Sequence, residues 1–218
     1  MDSPHAAGPG RDLLAALLDA RRFELELFEG IADSQLLGEK AHFLEPPIWE
    51  IGHVGWFQEY WILRNLDGAP PLLPGSDGIY DSFNVSYRLR WDHPYPSRSE
   101  TLDYIAGVLE RSIGRLDGRE PTEEERYFYT LVALHEGMHA ENLTLVLQTL
   151  GFAQPKLSSF DRGAREPPVD ESHQPHDVAV PGGTFELGSS RSEPFVFDNE
   201  KWAHPAVVPP YRLSLIHI

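Results

Sequence analysis

The sequence predicts a mainly α protein: a four-helix bundle followed by the opening part of a β-rich domain. Three observations carry this. Four stretches repeat apolar residues at helical spacing, a long irregular crossover joins the second to the third, and beyond Gly151 the texture turns to Pro, Ser and charge and then to glycine-punctuated alternation. Amphipathic helices joined by one long connection are the pattern of a bundle.

Residues 1–10, "MDSPHAAGPG", read as a disordered leader from their Gly, Pro and Ala content. The bundle spans 11–152. Its first helix runs from Arg11 to Gly30 on a stripe of Leu13, Leu14, Leu17, Leu18, Phe23, Leu27 and Phe28, with Gly30 as the stop. The second begins at Pro46-Pro47 and runs to Leu66, where "DGAPP" ends it. An irregular crossover covers Asp67 to Arg98. The third helix spans Ser99 to Leu116, with Ser99 or Thr101 as cap. The fourth has Thr122 as N-cap and acids in its first turn, and it ends at Gly151. Residues 153–176 read as a linker. A β-rich domain then starts near Asp177 with "VAVPGGTFELGSS", and residues 177–218 are too few to complete it.

The chain has 218 residues, 34 acids against 18 bases and a formal charge of -16, a surface that repels phosphate backbones and anionic lipid. Nucleic acid and membrane are therefore poor partners, and the charge by itself speaks for solubility. No apolar run reaches bilayer-spanning length. The N-terminus lacks a basic region followed by an apolar core, and there are no cysteines, so a cytoplasmic location is expected. Any metal must then be held by His, Asp, Glu, backbone or water.

Ten histidines are available. In "LHEGMHAENL" two of them, His135 and His139, stand four apart on the fourth helix, where Phe128, Val132, His135, His139, Asn142, Val146 and Thr149 make an inward seam. On the second helix Trp49, His53, Trp56, Tyr60 and Leu63 make another, with Gly52 and Gly55 bracketing His53. A glycine inside a helix costs about 1 kcal/mol relative to alanine, so these two point to a close backbone or ligand approach. A lone seam histidine is usually a satisfied core residue; three on facing seams make a three-nitrogen metal face with open positions. Neutral imidazole suits zinc, iron, copper and nickel alike, so the ligand set does not choose the metal.

"HEGMH" also matches the zinc-protease pattern H-E-x-x-H, in which the glutamate activates a metal-bound water. The extended form with a third downstream histidine fails here, and a carboxylate ligand such as Glu166 or Asp170 would have to come from the linker. His53 is the better third ligand, which leaves Glu136 an ordinary neighbour. Gln58 and Glu59 read as partners of the metal ligands or as plain polar positions. Glu141 lies too far around the helix from His139 to share its metal face. Arg88 and Arg90, among the aromatics of "YDSFNVSYRLRW", are candidates to bind a substrate carboxylate or simply solvated surface. His173 and His176 read as exposed linker residues.

"GHVGWFQEYW", "YDSF" and "HEGMHAENL" resemble the DinB-like bundle of the ergothioneine-type sulfoxide synthases. The family's H-x-x-x-H-x-E motif matches His135, His139 and Glu141, and its upstream histidine matches His53. The tail "VPGGTFELGSS" with "FVFDNEKWAHPAVVPPYRLS" resembles the start of a formylglycine-generating-enzyme-like (sulfatase-modifying) domain. "PPIWEIGHVGWFQEYW", "RWDHPYPS" and the Met before His139 are closer to the selenoneine-synthase branch. The resemblance implies iron(II) on His53, His135 and His139, with O2 and a thiol or selenium donor at open positions. The implied reaction is oxidative C–S or C–Se bond formation on the imidazole of hercynine (N-alpha-trimethylhistidine). Arg88 or Arg90 would hold charged groups of the donor. The catalytic and hercynine-binding residues are expected beyond Ile218.

Two readings of other classes stay open at this point. One is a DinB-like divalent-metal protein acting in thiol transfer or hydrolysis. The other is a metal-free structural or interaction bundle.

Overall fold

The computed structural model describes residues 9–41, 43–116, 118–158 and 177–214, and the chain divides into two compact units, Met1–Phe160 and Asp161–Ile218. The rest of the leader, most of the linker (with Glu166, Asp170, His173 and His176) and the last four residues lie outside the described residues. No helix among those described is long and apolar enough to cross a membrane.

Among its described residues the first unit holds four long helices. α1 is Pro9–Glu29; α2 is Pro47–Gln58 and runs without a break into a π-helical segment, Glu59–Asn65; α4 is Arg98–Leu116; and α5 is Glu123–Thr149. A single helical turn, α3 (Asp77–Tyr80), interrupts the crossover. α1 packs on α5, and α2 packs on both α4 and α5. Leu17, Phe28, Ile51, Ile62, Ile105, Val108, Tyr129 and Leu143 are among the side chains closing the core, each apolar one contributing about 1.5–3 kcal/mol by leaving water.

The helix ends follow local chemistry. Thr122 caps α5 as expected: its hydroxyl accepts from Glu125 N (3.2 Å), and the Glu125 carboxylate accepts from Thr122 N (2.8 Å). Arg119 and Arg115 grip the same carboxylate and hold it far below the usual range, which ties the end of α4 to the start of α5. Gly151 closes α5 in the left-handed region at φ 63. The cap of α4 is Ser97, not Ser99 or Thr101. Its hydroxyl accepts from Glu100 N (3.3 Å) and the Glu100 carboxylate accepts from Ser97 N (2.8 Å), a second capping box starting two residues earlier than expected.

The seams also turn. On α5 the deeply buried line is Glu125, Tyr129, Val132, Glu136, Ala140, Leu143 and Val146; His135, His139 and Asn142 are half-buried beside it, and Thr149 is exposed. On α1, Leu18 is exposed while Arg21 and Glu24 are buried. One interaction explains both shifts. Arg21 reaches across to Glu136, so the two helices bury charges that apolar periodicity assigns to solvent. α2 is buried on nearly every side, and Tyr60 is the exception on its expected seam.

Among its described residues the second unit holds two antiparallel pairs, one nested inside the other in sequence. β1 (Asp177–Val180) pairs with β4 (Tyr211–Ser214), and β2 (Gly183–Leu187) pairs with β3 (His204–Val208).

Candidate metal centre

The three histidines come together. One ring nitrogen each of His53, His135 and His139 lie within 4.8 Å of one another, and the Nε2 atoms of His135 and His139 are 3.2 Å apart. Two imidazole nitrogens at that distance share either a proton or a cation. Metal–nitrogen bonds of about 2.0–2.1 Å meeting at a right angle put two donors roughly 3 Å apart, so the donor set fits a transition metal.

Each ring is fixed from outside the cluster. His53 donates Nδ1–H to the Tyr80 carbonyl (2.7 Å), since a carbonyl only accepts, and that choice leaves its Nε2 lone pair free. His139 Nδ1 bonds the Glu50 carboxylate, whose other oxygen accepts from Asn142. His135 stacks on Phe57 at 3.6 Å between ring centroids and 6° between planes. His53 stacks on Trp49 at 4.3 Å. A ligating histidine oriented through its second nitrogen is the usual support of a metal site.

The electrostatics suit ligation. Burial pushes His53 well below the ordinary imidazole value, and His139 pushes it the same way against the pull of the Tyr80 carbonyl. Burial and the two neighbouring rings push His135 down likewise. Both rings stay neutral, as a metal ligand must be.

Gly52 and Gly55 mark side-chain packing. A Cβ on Gly52 would lie 2.3 Å from the Tyr80 ring, and one on Gly55 2.3 Å from Ile105. The first matters for the site, because it seats the residue whose carbonyl orients His53.

Several expected contacts fall elsewhere. Gln58 accepts from Arg21 (2.9 Å), while Glu59 accepts from the Tyr104 hydroxyl (2.6 Å) and from Leu72 N, so both serve the core. Glu141 is exposed. Glu136, the would-be protease base, is buried against Arg21. Arg90 is buried, paired with Glu45 and stacked over Trp49 at 3.8 Å, whereas Arg88, on the same short 3-10 turn (Tyr87–Leu89), is exposed. Sequence reasoning missed Glu50 and the Tyr80 carbonyl. For Glu50 a signal existed: a lone acid in the apolar run "PPIWEIGHVGW", three residues before His53. A backbone carbonyl leaves none.

Residues 16–143, more than half the chain, match the DinB superfamily. The chain belongs to that superfamily. It is also similar to proteins named hercynine oxygenase: 32% identical over 203 residues to that of Mycolicibacterium smegmatis, covering 91% of this chain and 46% of the relative. The Mycolicibacterium thermoresistibile protein is 31% identical over 218 residues (99% and 47%), and the Mycobacterium tuberculosis protein 30% over 209 residues (94% and 48%). The chain thus spans about half the length of these relatives.

Proposed function

We propose that this chain carries the metal-binding part of a non-haem iron(II), O2-dependent enzyme that forms a C–S or C–Se bond on the imidazole of hercynine. The observation that carries the reading is the convergence of His53, His135 and His139, each fixed from outside, in a chain whose relatives are named hercynine oxygenase. Iron held there would supply the one-electron chemistry that O2 requires, with open positions for O2 and a soft donor.

The protein's own residues set the conditions. Tyr80 and Glu50 hold two ligands in the tautomer that presents Nε2, and Phe57 and Trp49 hold the ring planes of His135 and His53. Three neutral ligands leave the ion's charge uncompensated within the triad. The buried Glu50 carboxylate supplies negative charge one bond removed, through His139. Of the two arginines, Arg88 is the one presented to solvent, where it can meet a charged donor. The remaining hercynine contacts and the groups that move protons during O2 reduction are assigned to a sulfatase-modifying-like domain that begins at Asp177.

Metal content of the purified 218-residue chain tests the site. We expect one iron per chain, lost in His53→Ala, His135→Ala and His139→Ala. Tightly held zinc that iron cannot replace would favour the thiol-transfer or hydrolytic class instead, and absence of metal from every preparation would sink the site. The reaction is tested with the full-length gene product, hercynine, O2 and either gamma-glutamylcysteine, cysteine or a selenosugar. Failure of all three donors with iron-loaded protein would refute the synthase reading, and the donor that turns over names the branch.

A further inference from the structure

Two tryptophans lie against the His53 imidazole, and their surroundings are opposite in charge. Trp49 stacks on the ring at 4.3 Å and 12°, Trp56 at 5.7 Å and 24°. The Arg90 guanidinium also lies over Trp49, at 3.8 Å, and the Trp49 indole N–H goes to a neutral acceptor, the Ile79 carbonyl (3.1 Å). Trp56 instead donates its N–H to the Asp77 carboxylate at 2.7 Å. Beyond Trp56 the rings continue: Tyr60 is 5.4 Å from it, and Trp61 is 5.1 Å from Tyr60. We propose that Trp56 and Tyr60 form a conducting path that carries oxidising equivalents from a metal held by the histidine triad to the protein surface.

In a chain without cysteine, indole and phenol are the side chains that most readily give up a single electron. An indole that loses one is a cation until its N–H proton moves. A guanidinium against the ring opposes that charge, whereas a carboxylate on the N–H favours it and takes a share of the proton. Both charged groups belong to ion pairs, Arg90 with Glu45 and Asp77 with Arg64. It is nevertheless the positive partner that touches Trp49 and the negative one that touches Trp56. The local field therefore closes the Trp49 branch and opens the Trp56 branch.

The path ends where a radical can be discharged. Tyr60 is the second residue of the π-helical segment Glu59–Asn65 and is 38% exposed, and such segments are frequent at functional sites. When O2 or peroxide reacts at the metal without a substrate, Trp56 gives one electron to the oxidised centre, and Tyr60 gives one to Trp56. The phenolic proton of Tyr60 leaves to water, so a neutral tyrosyl radical remains. A neutral radical is not opposed by the Arg64 guanidinium, 5.1 Å from the ring centroid. A thiol then returns one electron and one proton to Tyr60 and becomes a thiyl radical. Each passage removes one oxidising equivalent that would otherwise attack the ligand histidines, and suppressing such side reactions is part of what a site for reactive chemistry must do. The inference rests on the triad holding a redox-active metal, as proposed above, and on no particular substrate.

The test uses the 218-residue chain loaded with one equivalent of copper(II), which heads the affinity order for imidazole sites whatever the native metal. A pulse of hydrogen peroxide is followed by spin trapping and peptide mass mapping. We expect the trapped radical at Tyr60, dependent on bound copper. Trp56→Phe should cut the Tyr60 adduct several-fold and raise oxidation of His53, His135 and His139 to 2-oxohistidine. Tyr60→Phe removes only one hydroxyl at an exposed position; it should raise histidine oxidation likewise, and it decides the matter should Trp56→Phe fail to fold. Trp49→Phe, compared at equal bound copper, should leave the Tyr60 adduct in place. The proposal is overturned by an adduct equally abundant in metal-free chain, by one unchanged in Trp56→Phe, or by histidine oxidation unchanged in Tyr60→Phe. A chain that binds no copper loses the metal centre and the path with it. A loaded chain that oxidises without Tyr60 loses the path alone.

Discussion

His135 and Glu136 are neighbours on α5, yet they belong to two different polar clusters. Glu136 meets Arg21, whose guanidinium also reaches Gln58 (2.9 Å) and the Ile105 carbonyl (3.1 Å), so the buried charge is answered by protein. His135 meets His53 and His139, and there the protein ties down one side of the cluster while the free nitrogens converge. Burial alone does not separate the two. The distinction is whether the protein completes the bonding or leaves lone pairs aimed at a common point. The first kind of cluster holds helices together; the second costs stability until a ligand arrives, and it is the one to read as functional.

That contrast can be broken at either cluster. The largest effect is expected from Arg21→Ala, which strands Glu136 in the core. Breaking one partner of a buried pair typically costs about 3–5 kcal/mol, read as a fall in the urea midpoint of metal-free protein. A loss below about 1 kcal/mol would mean that the α1–α5 charge cluster is not structural. Gly52→Ala comes next, because its methyl would lie 2.3 Å from Tyr80, and overpacking of this kind costs about 1–3 kcal/mol. It should also weaken metal binding, since Tyr80 orients His53. Gly55→Ala meets Ile105 with the same clearance and is the control: it should lose stability without the same loss of metal. If both variants lose metal equally, the Tyr80 carbonyl is not a positioning group.

Glu50→Gln probes the histidine side alone. Partners of metal ligands are typically worth about ten- to a hundredfold in metal affinity, and we expect that loss by metal titration with little change in the metal-free urea midpoint. A stability loss as large as that of Arg21→Ala would place Glu50 with the structural charges and erase the distinction.

The legible parts of the molecule were those with a local or periodic signal. Thr122 announced its helix through "TEEE", Gly151 its end, and His135 and His139 their shared face through spacing. Pairing them with His53 needed only the inference that two helices face each other. The charge cluster was not legible, because hydropathy periodicity has no means of choosing which of the adjacent Arg21 and Arg22 turns inward. Its selection depends on Glu136 standing opposite, 115 residues away in sequence. The exposure of Tyr60 was hidden for a related reason: it shares the expected inward seam with Trp56, and the π-helical segment leaves it exposed.

Glu24 gives the subtlest test, because it departs from the rule within the charge cluster. It is fully buried, with no N–H or O–H donor to either carboxyl oxygen among the described residues and with the Glu136 carboxyl group beside it to share its proton. Burial raises its pKa well above the ordinary 4.5; the charge on Glu136 adds to the effect, Arg21 opposes it, and Glu50 adds again. The folded protein therefore holds Glu24 as a neutral acid at a pH where the unfolded chain has released the proton. Its contribution to stability is complete below 4.5 and is lost as pH rises toward the folded-state value. Glutamine keeps the shape of the neutral acid and does not titrate. Glu24→Gln should change stability by less than about 1 kcal/mol near pH 5, and its urea midpoint should gain on the unsubstituted chain as pH is raised to 8. If the difference between the two chains stays constant with pH, Glu24 has the same proton affinity folded and unfolded. The charge cluster would then extend to a carboxylate that the protein fully satisfies.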